Sequence, residues 1–191
     1  MTAKRPTGLI ISPYHAQSHA IWAEQITRLL VGVDWTVVTM RPRFFSWRVR
    51  GNPLALAFEK PFKQALDNID LLVATSMTDL ATLRGLIPAL SRVPSMVYFH
   101  ENQFAYPHSE RVNDSHTLEA KMVSLYAALS ADAVIFNSRF NHDTYLKGAR
   151  EMLVGFPDHA PADCVDSGQL LSLYGVFCYA DLAVLVVDNV F

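Results

Sequence analysis

Four polar side chains follow an apolar run without interruption in the segment SMVYFHENQ, residues 95–103. They are His100, Glu101, Asn102 and Gln103. An imidazole can transfer a proton, while carboxylate and amide groups form directional hydrogen bonds with hydroxyl groups. Because burying four such side chains without partners is costly, we interpret the segment as a site that binds sugar hydroxyls. The alternative is a capped turn that contains a core histidine.

A second segment, RPRFFSWRVR at residues 41–50, combines cations with aromatic rings. The cations are Arg41, Arg43, Arg48 and Arg50, and the rings are Phe44, Phe45 and Trp47. No acidic residue lies between Asp34 and Glu59. Since guanidinium groups bind phosphate and aromatic rings stack on bases, the segment favours binding of an anion or a nucleic acid. The alternative is a solvated loop whose aromatic side chains pack into the core.

A third polar segment, SPYHAQSH at residues 12–19, lies between an apolar run and a helical pattern. Ser18 is predicted to cap the helix, which would place His19 in the first turn and direct backbone N–H groups into a cleft. The segment contains no glycine, so a dinucleotide-binding loop is not expected. A helix cap without any ligand is the alternative.

Several of the same side chains are also potential metal ligands. The candidates are His15, His19, His100, Glu101, His108 and His116. His15 and His19 span the junction between strand and helix rather than one helix face, so the zinc-protease pattern is absent and a metal hydrolase is disfavoured. Neither a nucleophile elbow nor a phosphate-binding loop is present, which leaves serine-hydrolase and P-loop functions without support.

The elements that would position these residues are visible in the hydrophobic pattern. Short apolar runs occur at residues 8–12, 35–39, 71–74, 95–100 and 133–137. Helical periodicity is present at residues 19–31, 79–90 and 115–130, with Pro88 interrupting the second of these segments. Continuous apolar strands that alternate with amphipathic helices predict an α/β fold. We expect a doubly wound, Rossmann-like parallel sheet, buried on both faces, over roughly residues 8–150.

The region between the second and third apolar runs is long. We expect residues 40–68 to form an extended loop followed by a helix that begins with Asn52 as N-cap and Pro53 in the first turn. In doubly wound sheets, ligands bind beyond the carboxyl ends of the strands. All the polar segments described above follow apolar runs, so the predicted fold places them at that edge.

Composition restricts the class of protein. The chain has 191 residues, of which 51% are hydrophobic and 18% charged, so it can form a sizeable core. A net charge of −2 gives no general attraction to nucleic acid or anionic lipid. The two cysteines form no metal-binding or disulfide pattern, which fits a reducing compartment. Residues 170–187 are nearly continuously apolar but include Asp181, which favours a buried element or a tail foreign to the rest of the chain over a membrane span.

Four segments occur in an order that is typical of one enzyme family. They are FSWRVRGN at residues 45–52, YFHENQFAYP at 98–107, SADAVIFNSRFN at 130–141 and FPDHAP at 156–161. The chain resembles the tRNA-queuosine mannosyltransferase family over about residues 8–160. The resemblance implies the amino-terminal half of a glycosyltransferase with the GT-B architecture. It also implies a cytoplasmic hexosyltransferase that moves mannose from GDP-mannose to the cyclopentene diol of queuosine in the tRNA anticodon loop, with retained configuration.

The resemblance also assigns roles to individual residues. The catalytic candidates are His100 and Glu101. The candidates for substrate binding are Ser18, His19, Asn102, Gln103, Tyr106, Asn137 and Ser138. The candidates for tRNA binding are Arg43, Trp47, Arg48, Arg50 and Asn52. Ser18 and the start of its helix would face the leaving diphosphate, and no metal or other cofactor would be needed.

The same resemblance implies a division of the chain. Residues 1–160 would form the acceptor-side domain, and residues 161–191 a divergent apolar tail. The second, donor-binding domain is expected to be missing, so a downstream segment or a partner chain would supply it. No membrane is expected as a partner. Two alternatives stay open: a non-catalytic remnant that binds tRNA or a partner, and a GT-B glycosyltransferase with a lipid or small-molecule acceptor.

Overall fold

The computed structural model describes residues 4–106, 114–158, 161–165 and 172–174. Its strands are β1 (Thr7–Ser12), β2 (Asp34–Thr39), β3 (Leu71–Thr75), β4 (Ser95–Phe99), β5 (Ala133–Phe136) and β6 (Ser172–Tyr174). Its helices are α1 (Gln17–Leu29), α2 (Phe45–Phe58), α3 (Lys60–Ala65), α4 (Leu80–Leu86), α5 (Asp114–Ser130) and α6 (Arg139–Val154). Short 3-10 helices follow α4 and α6, at Pro88–Arg92 and Ala162–Val165.

The described strands form one parallel sheet with the order β2-β1-β3-β4-β5-β6. The strand β1 pairs with β2 on one side and β3 on the other, so Ile10 lies between Val37 and Val73. The chain therefore winds one way from β1 to β2 and the other way from β3 onward, as in doubly wound folds. The predicted α/β, Rossmann-like fold is confirmed.

Alternate residues of the central strands enter two apolar layers. Leu9 and Ile11 pack in the layer that contains α2, α4, α5 and α6, while Ile10 packs with α1 on the opposite face. All three side chains are fully buried. Removing each from water contributes about 1.5–3 kcal/mol to folding. Strand β2 differs because it lies at the sheet edge and most of its side chains are exposed, so the prediction of burial on both faces is wrong for this strand.

Most of the predicted helices are confirmed with shifted ends. Helix α4 begins after Asp79, whose carboxylate accepts a hydrogen bond of 3.1 Å from the Thr82 N–H, and it ends before Pro88. Helix α6 is absent from the predicted elements. Its buried residues Tyr145, Ala149 and Leu153 recur at every fourth position, so a helical period is present in its sequence.

The prediction of an extended loop within residues 40–68 is wrong, because α2 and α3 occupy most of that region. Helix α2 begins directly after Phe44, whose φ of 55° lies in the left-handed region. This conformation costs on the order of 1–3 kcal/mol for a residue other than glycine. Helix α2 then packs against α3, α4 and α5.

Asn52 lies inside α2, so its predicted role as N-cap is wrong. Pro53 follows it within the same helix and lacks the N–H group that would bond the Val49 carbonyl. The side-chain amide of Asn52 supplies that bond instead, with Nδ2 3.0 Å from the Val49 oxygen. The same nitrogen donates to the Arg48 carbonyl at 2.8 Å.

The Asn52 amide also joins α2 to the end of β3. Its Nδ2 donates to the Met77 carbonyl at 3.1 Å, and its Oδ1 accepts from the Asp79 N–H at 3.3 Å. The side chain is fully buried. One amide therefore permits a proline in the helix and fixes the helix against the loop that leads into α4.

In the described part of the chain, no helix combines the length and apolar character that a membrane span requires. Residues 170–187 lie outside the described residues except for 172–174. The backbone of these three residues forms β6 and pairs with β5, so it belongs to the same sheet.

Replacing Asn52 with leucine should lower the free energy of unfolding by about 3 kcal/mol, since buried backbone groups lose their partners. Equilibrium unfolding in urea measures this loss. Ser46, which is exposed in the first turn of the same helix, provides the control, and Ser46→Ala should change stability by less than about 0.5 kcal/mol. Equal stability of Asn52→Leu and Ser46→Ala would contradict the bridging role.

Candidate hydroxyl-binding site and arginine-aromatic surface

The carboxyl ends of β1, β3 and β4 lie side by side in the sheet. Ser12 ends β1, and His100 follows β4 directly. Helix α1 begins at this edge with Ala16 as N-cap and no side-chain cap, so the predicted cap by Ser18 is wrong. Ser18 is exposed in the first turn, and His19 occupies the first turn as predicted. The first-turn N–H groups of α1 are therefore left without a side-chain acceptor at the N-cap.

A histidine cluster occupies this edge, and we define it as Ser12, His15, His19, His100 and Glu101. The rings of His19 and His100 stack with centroids 4.0 Å apart and an interplanar angle of 18°. His19 is 1% exposed, and the rings of Trp22 and Tyr98 meet His100 edge-on. The His100 Nε2 atom is buried and has no hydrogen-bond partner in the described residues.

Two imidazoles of the cluster, those of His100 and His15, are held in the neutral state. Burial, followed by the charges that His19 and His15 would carry, lowers the pKa of His100 to about 3. Burial and then the neighbouring His19 also lower the pKa of His15. At neutral pH, each of these two rings therefore offers one N–H donor and one acceptor nitrogen, which suits hydroxyl groups.

A series of polar contacts crosses the cluster. Glu101 Oε2 lies 3.6 Å from His19 Nε2, and His19 Nδ1 lies 3.4 Å from Ser12 Oγ. Ser12 Oγ lies 3.0 Å from His15 Nδ1. His15 was predicted only as a possible metal ligand, and Ser12 was assigned no role at all. Ser12 and His15 are three residues apart across the turn that follows β1, and this spacing is the sequence signal that could have indicated their contact.

Asn102 and Gln103 are nearly buried, and their hydrogen bonds hold the loop after β4. Asn102 Nδ2 donates to Asn141 Oδ1 at 2.6 Å and to Thr144 Oγ1 at 3.1 Å. Its Oδ1 accepts from two backbone N–H groups of the loop. Gln103 Nε2 points to the sulfur of Met77 at 3.8 Å. These contacts fix the backbone that carries His100 and Glu101.

The end of β5 also meets this loop. Asn137 Nδ2 donates to the His100 carbonyl at 2.6 Å. Ser138 is the N-cap of α6, where its Oγ accepts from the Asn141 N–H at 3.2 Å. The structure thus places Asn137 against His100, while Ser138 donates to Asn137 Oδ1 at 3.1 Å. Tyr106 is more than half exposed at the far end of the loop.

The arginine-aromatic surface, which we define as Arg41, Arg43, Phe44 and Trp47, is exposed at the start of α2. The Arg43 guanidinium lies 5.3 Å from the centre of the Phe44 ring. The Trp47 side chain is 59% exposed, yet a Cβ atom added to Gly51 would lie 2.6 Å from its indole. Gly51 therefore provides the space in which one part of the indole rests on the helix.

The remaining tRNA-binding candidates are engaged within the protein. Arg50 donates from Nη1 to Asp79 Oδ2 at 2.7 Å, and Asp79 is 1% exposed. Half of the Arg50 side chain is still exposed. Arg48 is partly buried, with Nη1 3.1 Å from the sulfur of Met40. Asn52 is fully buried and bonded as described, so its side chain is not available to an external ligand.

The histidine cluster and the arginine-aromatic surface adjoin each other. The Tyr14 ring meets the Phe45 ring edge-on, with centroids 5.5 Å apart. The His15 N–H donates to the Met40 carbonyl at 3.0 Å. These contacts join the loop after β1 to the chain that leads into α2.

A metal centre has little to hold it in the described part of the chain. No group of three His, Cys, Asp or Glu side chains there converges to hold a metal ion. The side chains of His108 and His116, both predicted as possible ligands, lie outside the described residues.

A Rossmann-like domain with the neutral imidazoles of His15 and His100 in a polar cluster at its strand ends is suited to binding a polyhydroxylated ligand. Residues 8–169 match the family model of the tRNA-queuosine alpha-mannosyltransferase N-terminal domain, and the chain belongs to this family. The predicted family is thereby confirmed.

A curated relative supports the same family. The tRNA-queuosine alpha-mannosyltransferase of Drosophila melanogaster is 32% identical over 161 residues, which cover 83% of this chain and 41% of that protein. The chain thus matches less than half the length of this relative. No solved structure matches the chain.

The low pKa of His100 predicts a loss of stability in acid. The unfolded histidine binds a proton as the pH falls below its ordinary value of 6.5, whereas the folded one stays neutral until about 3. The contribution of His100 to stability is therefore fully present above pH 6.5, and it is lost as the pH falls from 6.5 to about 3. From pH 7 to 5, the wild type should lose about 2 kcal/mol more than His100→Phe, which retains an aromatic ring without a titratable group.

Urea unfolding of both proteins at pH 7 and pH 5 measures that difference. The comparison removes the contribution of carboxylates, since these are common to both proteins. Parallel losses in the wild type and in His100→Phe would show that His100 is not held neutral.

Proposed function

We propose that this chain is the acceptor-side domain of a tRNA-queuosine mannosyltransferase. The reaction is transfer of mannose, with retained configuration, from GDP-mannose to the cyclopentene diol of queuosine in the tRNA anticodon loop. The observation that carries the proposal is the family match over residues 8–169. The proposed enzyme is cytoplasmic, needs no metal or other cofactor, and has the GT-B architecture.

The unpartnered nitrogen of His100 supports a ligand at the histidine cluster. A buried polar atom without a hydrogen bond costs about 1–3 kcal/mol, which a bound hydroxyl would recover. We assign His100 to contact with the transferred sugar or the acceptor, and Glu101 to orientation of hydroxyl groups. Both groups are proposed as catalytic residues. Asn102, Gln103, Asn137 and Ser138 support them by holding the loop, and Tyr106 is proposed to border the site.

The start of α1 is the proposed position of the leaving diphosphate. The partial positive charge of a helix N-terminus stabilises negative charge that grows as the glycosidic bond to the diphosphate breaks. Ser18 is exposed in that first turn, and the adjacent His19 is buried. Because a GT-B enzyme binds its nucleotide sugar mainly with the second domain, we propose that a downstream segment or a partner chain completes the donor site.

The arginine-aromatic surface is the proposed contact with the anticodon loop. Its exposed indole can stack on an unpaired base, which contributes about 1–3 kcal/mol per base. Arg43 is exposed just before α2 and can contact a phosphate. Arg48 and Arg50 lie on α2, and part of each side chain is exposed. We leave Asn52 out of this surface because its amide is committed to α2 and β3.

The experiment that tests the proposed function is mannose transfer from GDP-mannose to queuosine-containing tRNA, with guanosine-containing tRNA as control. Transfer that depends on queuosine supports the function, and His100→Ala should then abolish most of it. Salt-sensitive tRNA binding without transfer would favour a non-catalytic RNA-binding protein. Transfer to a lipid or small-molecule acceptor would favour the other glycosyltransferase alternative.

Trp47→Ala should weaken binding of an anticodon stem-loop RNA by about tenfold, because a base loses its stacking partner. Gly51→Ala should weaken it as well, since the added methyl group displaces the indole while favouring the helix. Arg43→Ala should reduce the slope of log Kd against log salt concentration by about 1, because one phosphate contact is lost. Fluorescence anisotropy over a salt series measures these effects.

Arg28 provides the matched control for this series. It is exposed in the last turn of α1, at the opposite edge of the sheet from the arginine-aromatic surface. If Arg28→Ala weakens binding as much as Arg43→Ala, the contact is a general effect of charge and the proposed surface is wrong.

A further inference from the structure

We propose that His15 presents an unprotonated Nε2 to a hydroxyl group of the substrate, and that Glu101 imposes this state through His19 and Ser12. The identity of that hydroxyl, a diol of the tRNA acceptor, rests on the proposed function. The protonation pattern itself rests only on the geometry of the histidine cluster.

The position of His15 is fixed at the end of the sheet. Its backbone N–H donates to the Met40 carbonyl, and its Nδ1 contacts Ser12 Oγ at 3.0 Å. The side chain is only partly buried. Within the described residues, no protein group bonds its Nε2, so that nitrogen is free to meet a ligand.

The Ser12 hydroxyl links the hydrogen positions on the two imidazoles. Its Oγ lies between His15 Nδ1 at 3.0 Å and His19 Nδ1 at 3.4 Å, and it carries one hydrogen. The hydroxyl can donate to only one of these nitrogens. The other nitrogen must then donate to the oxygen, so the tautomers of the two neutral rings are coupled.

Glu101 selects between the two possible directions. Its carboxylate lies 3.6 Å from His19 Nε2, which is long for a hydrogen bond but close enough for its charge to favour an N–H at that position. A neutral His19 with hydrogen on Nε2 has a bare Nδ1, which accepts from Ser12. The Ser12 oxygen then accepts from Nδ1–H of His15, which leaves Nε2 of His15 as a lone pair.

In the opposite arrangement, Ser12 donates to His15 Nδ1 and His19 Nδ1 donates to Ser12. Electrostatics disfavours this arrangement. It would place a bare nitrogen of His19 against the Glu101 carboxylate, so two electron-rich atoms would face each other in a site where His19 is buried. This reasoning applies to the neutral state of His19, because an imidazolium carries hydrogen on both nitrogens. The test is therefore made at pH 8.

The lone pair of His15 specifies the chemistry of its ligand. A bare imidazole nitrogen accepts a hydrogen bond from a hydroxyl group but repels the anionic oxygens of a phosphate group. His15 is thus suited to a diol and not to the diphosphate or the RNA backbone. Ser12 and His19 act as positioning residues, and Glu101, in addition to its proposed catalytic role, acts with them to determine which nitrogen of His15 is free.

Nitrogen NMR of the full chain, labelled with ¹⁵N in its histidines, tests the protonation pattern. Two-bond proton–nitrogen spectra at pH 8 distinguish protonated from bare ring nitrogens, and His15→Gln identifies the His15 signals by their loss. We expect hydrogen on Nδ1 of His15 and on Nε2 of His19. Hydrogen on Nε2 of His15 would overturn the proposal.

Two variants test how the pattern is transmitted. Ser12→Ala removes the link, and Glu101→Gln removes the charge while leaving an amide that can present either an oxygen or an N–H. In both, we expect His15 to become a mixture of tautomers. Glu24→Gln, on the exposed side of α1, is the control and should leave the spectrum unchanged. An unaltered His15 spectrum in Glu101→Gln would overturn the role of Glu101, even if Ser12→Ala does not fold.

A substrate readout completes the test. His15→Gln keeps an acceptor near the position of Nε2, whereas His15→Asn is too short to reach it. His15→Asn should raise the KM for queuosine tRNA by about tenfold, with a much smaller effect in His15→Gln. Equal KM values for the two variants would exclude the contact with the acceptor. Absence of transfer in the wild type, with the expected tautomers present, would instead count against the proposed function alone.

Discussion

Burial of a parallel sheet on both faces is the constraint that organises this protein. The backbone groups of β1, β3, β4 and β5 pair with each other, and their side chains enter apolar layers, so ionisable groups have no place along the strands. Chemistry is therefore displaced to the carboxyl ends, where Ser12 ends β1 and His100 follows β4. Because these residues still border the core, desolvation keeps the imidazole of His100 neutral.

The amide of Asn52 connects this edge to the arginine-aromatic surface. It satisfies the carbonyl that Pro53 leaves without a donor and also bonds the loop after β3. The start of α2 is thereby held in a fixed relation to the sheet. A base bound by Trp47 and a hydroxyl bound at the histidine cluster would accordingly be presented by a single rigid body, which favours a preorganised acceptor site.

Much of the fold could be predicted from the sequence because fully buried strands give continuous apolar runs. One error arose where a side chain bonds the backbone of its own helix. The Asn52–Pro53 pair has the appearance of a helix start. Only the fold shows that the pair lies inside α2, where the Asn52 amide donates to the Val49 carbonyl that Pro53 cannot bond. For the candidate site, the positions of His19 and His100 could be predicted from the strand ends. The contact between Asn102 and Asn141 could not, since 39 residues separate them.

The strand order also determines how the sheet can form as the chain is synthesised. Strand β1 gains both of its neighbours by residue 75, and β4, β5 and β6 then add to the same growing edge in chain order. None of the strands that the structure describes must be inserted between two that are already paired. Assembly from the amino terminus can therefore follow the ribosome, while the latest strand and β2 are the two sheet edges open to pairing with another chain.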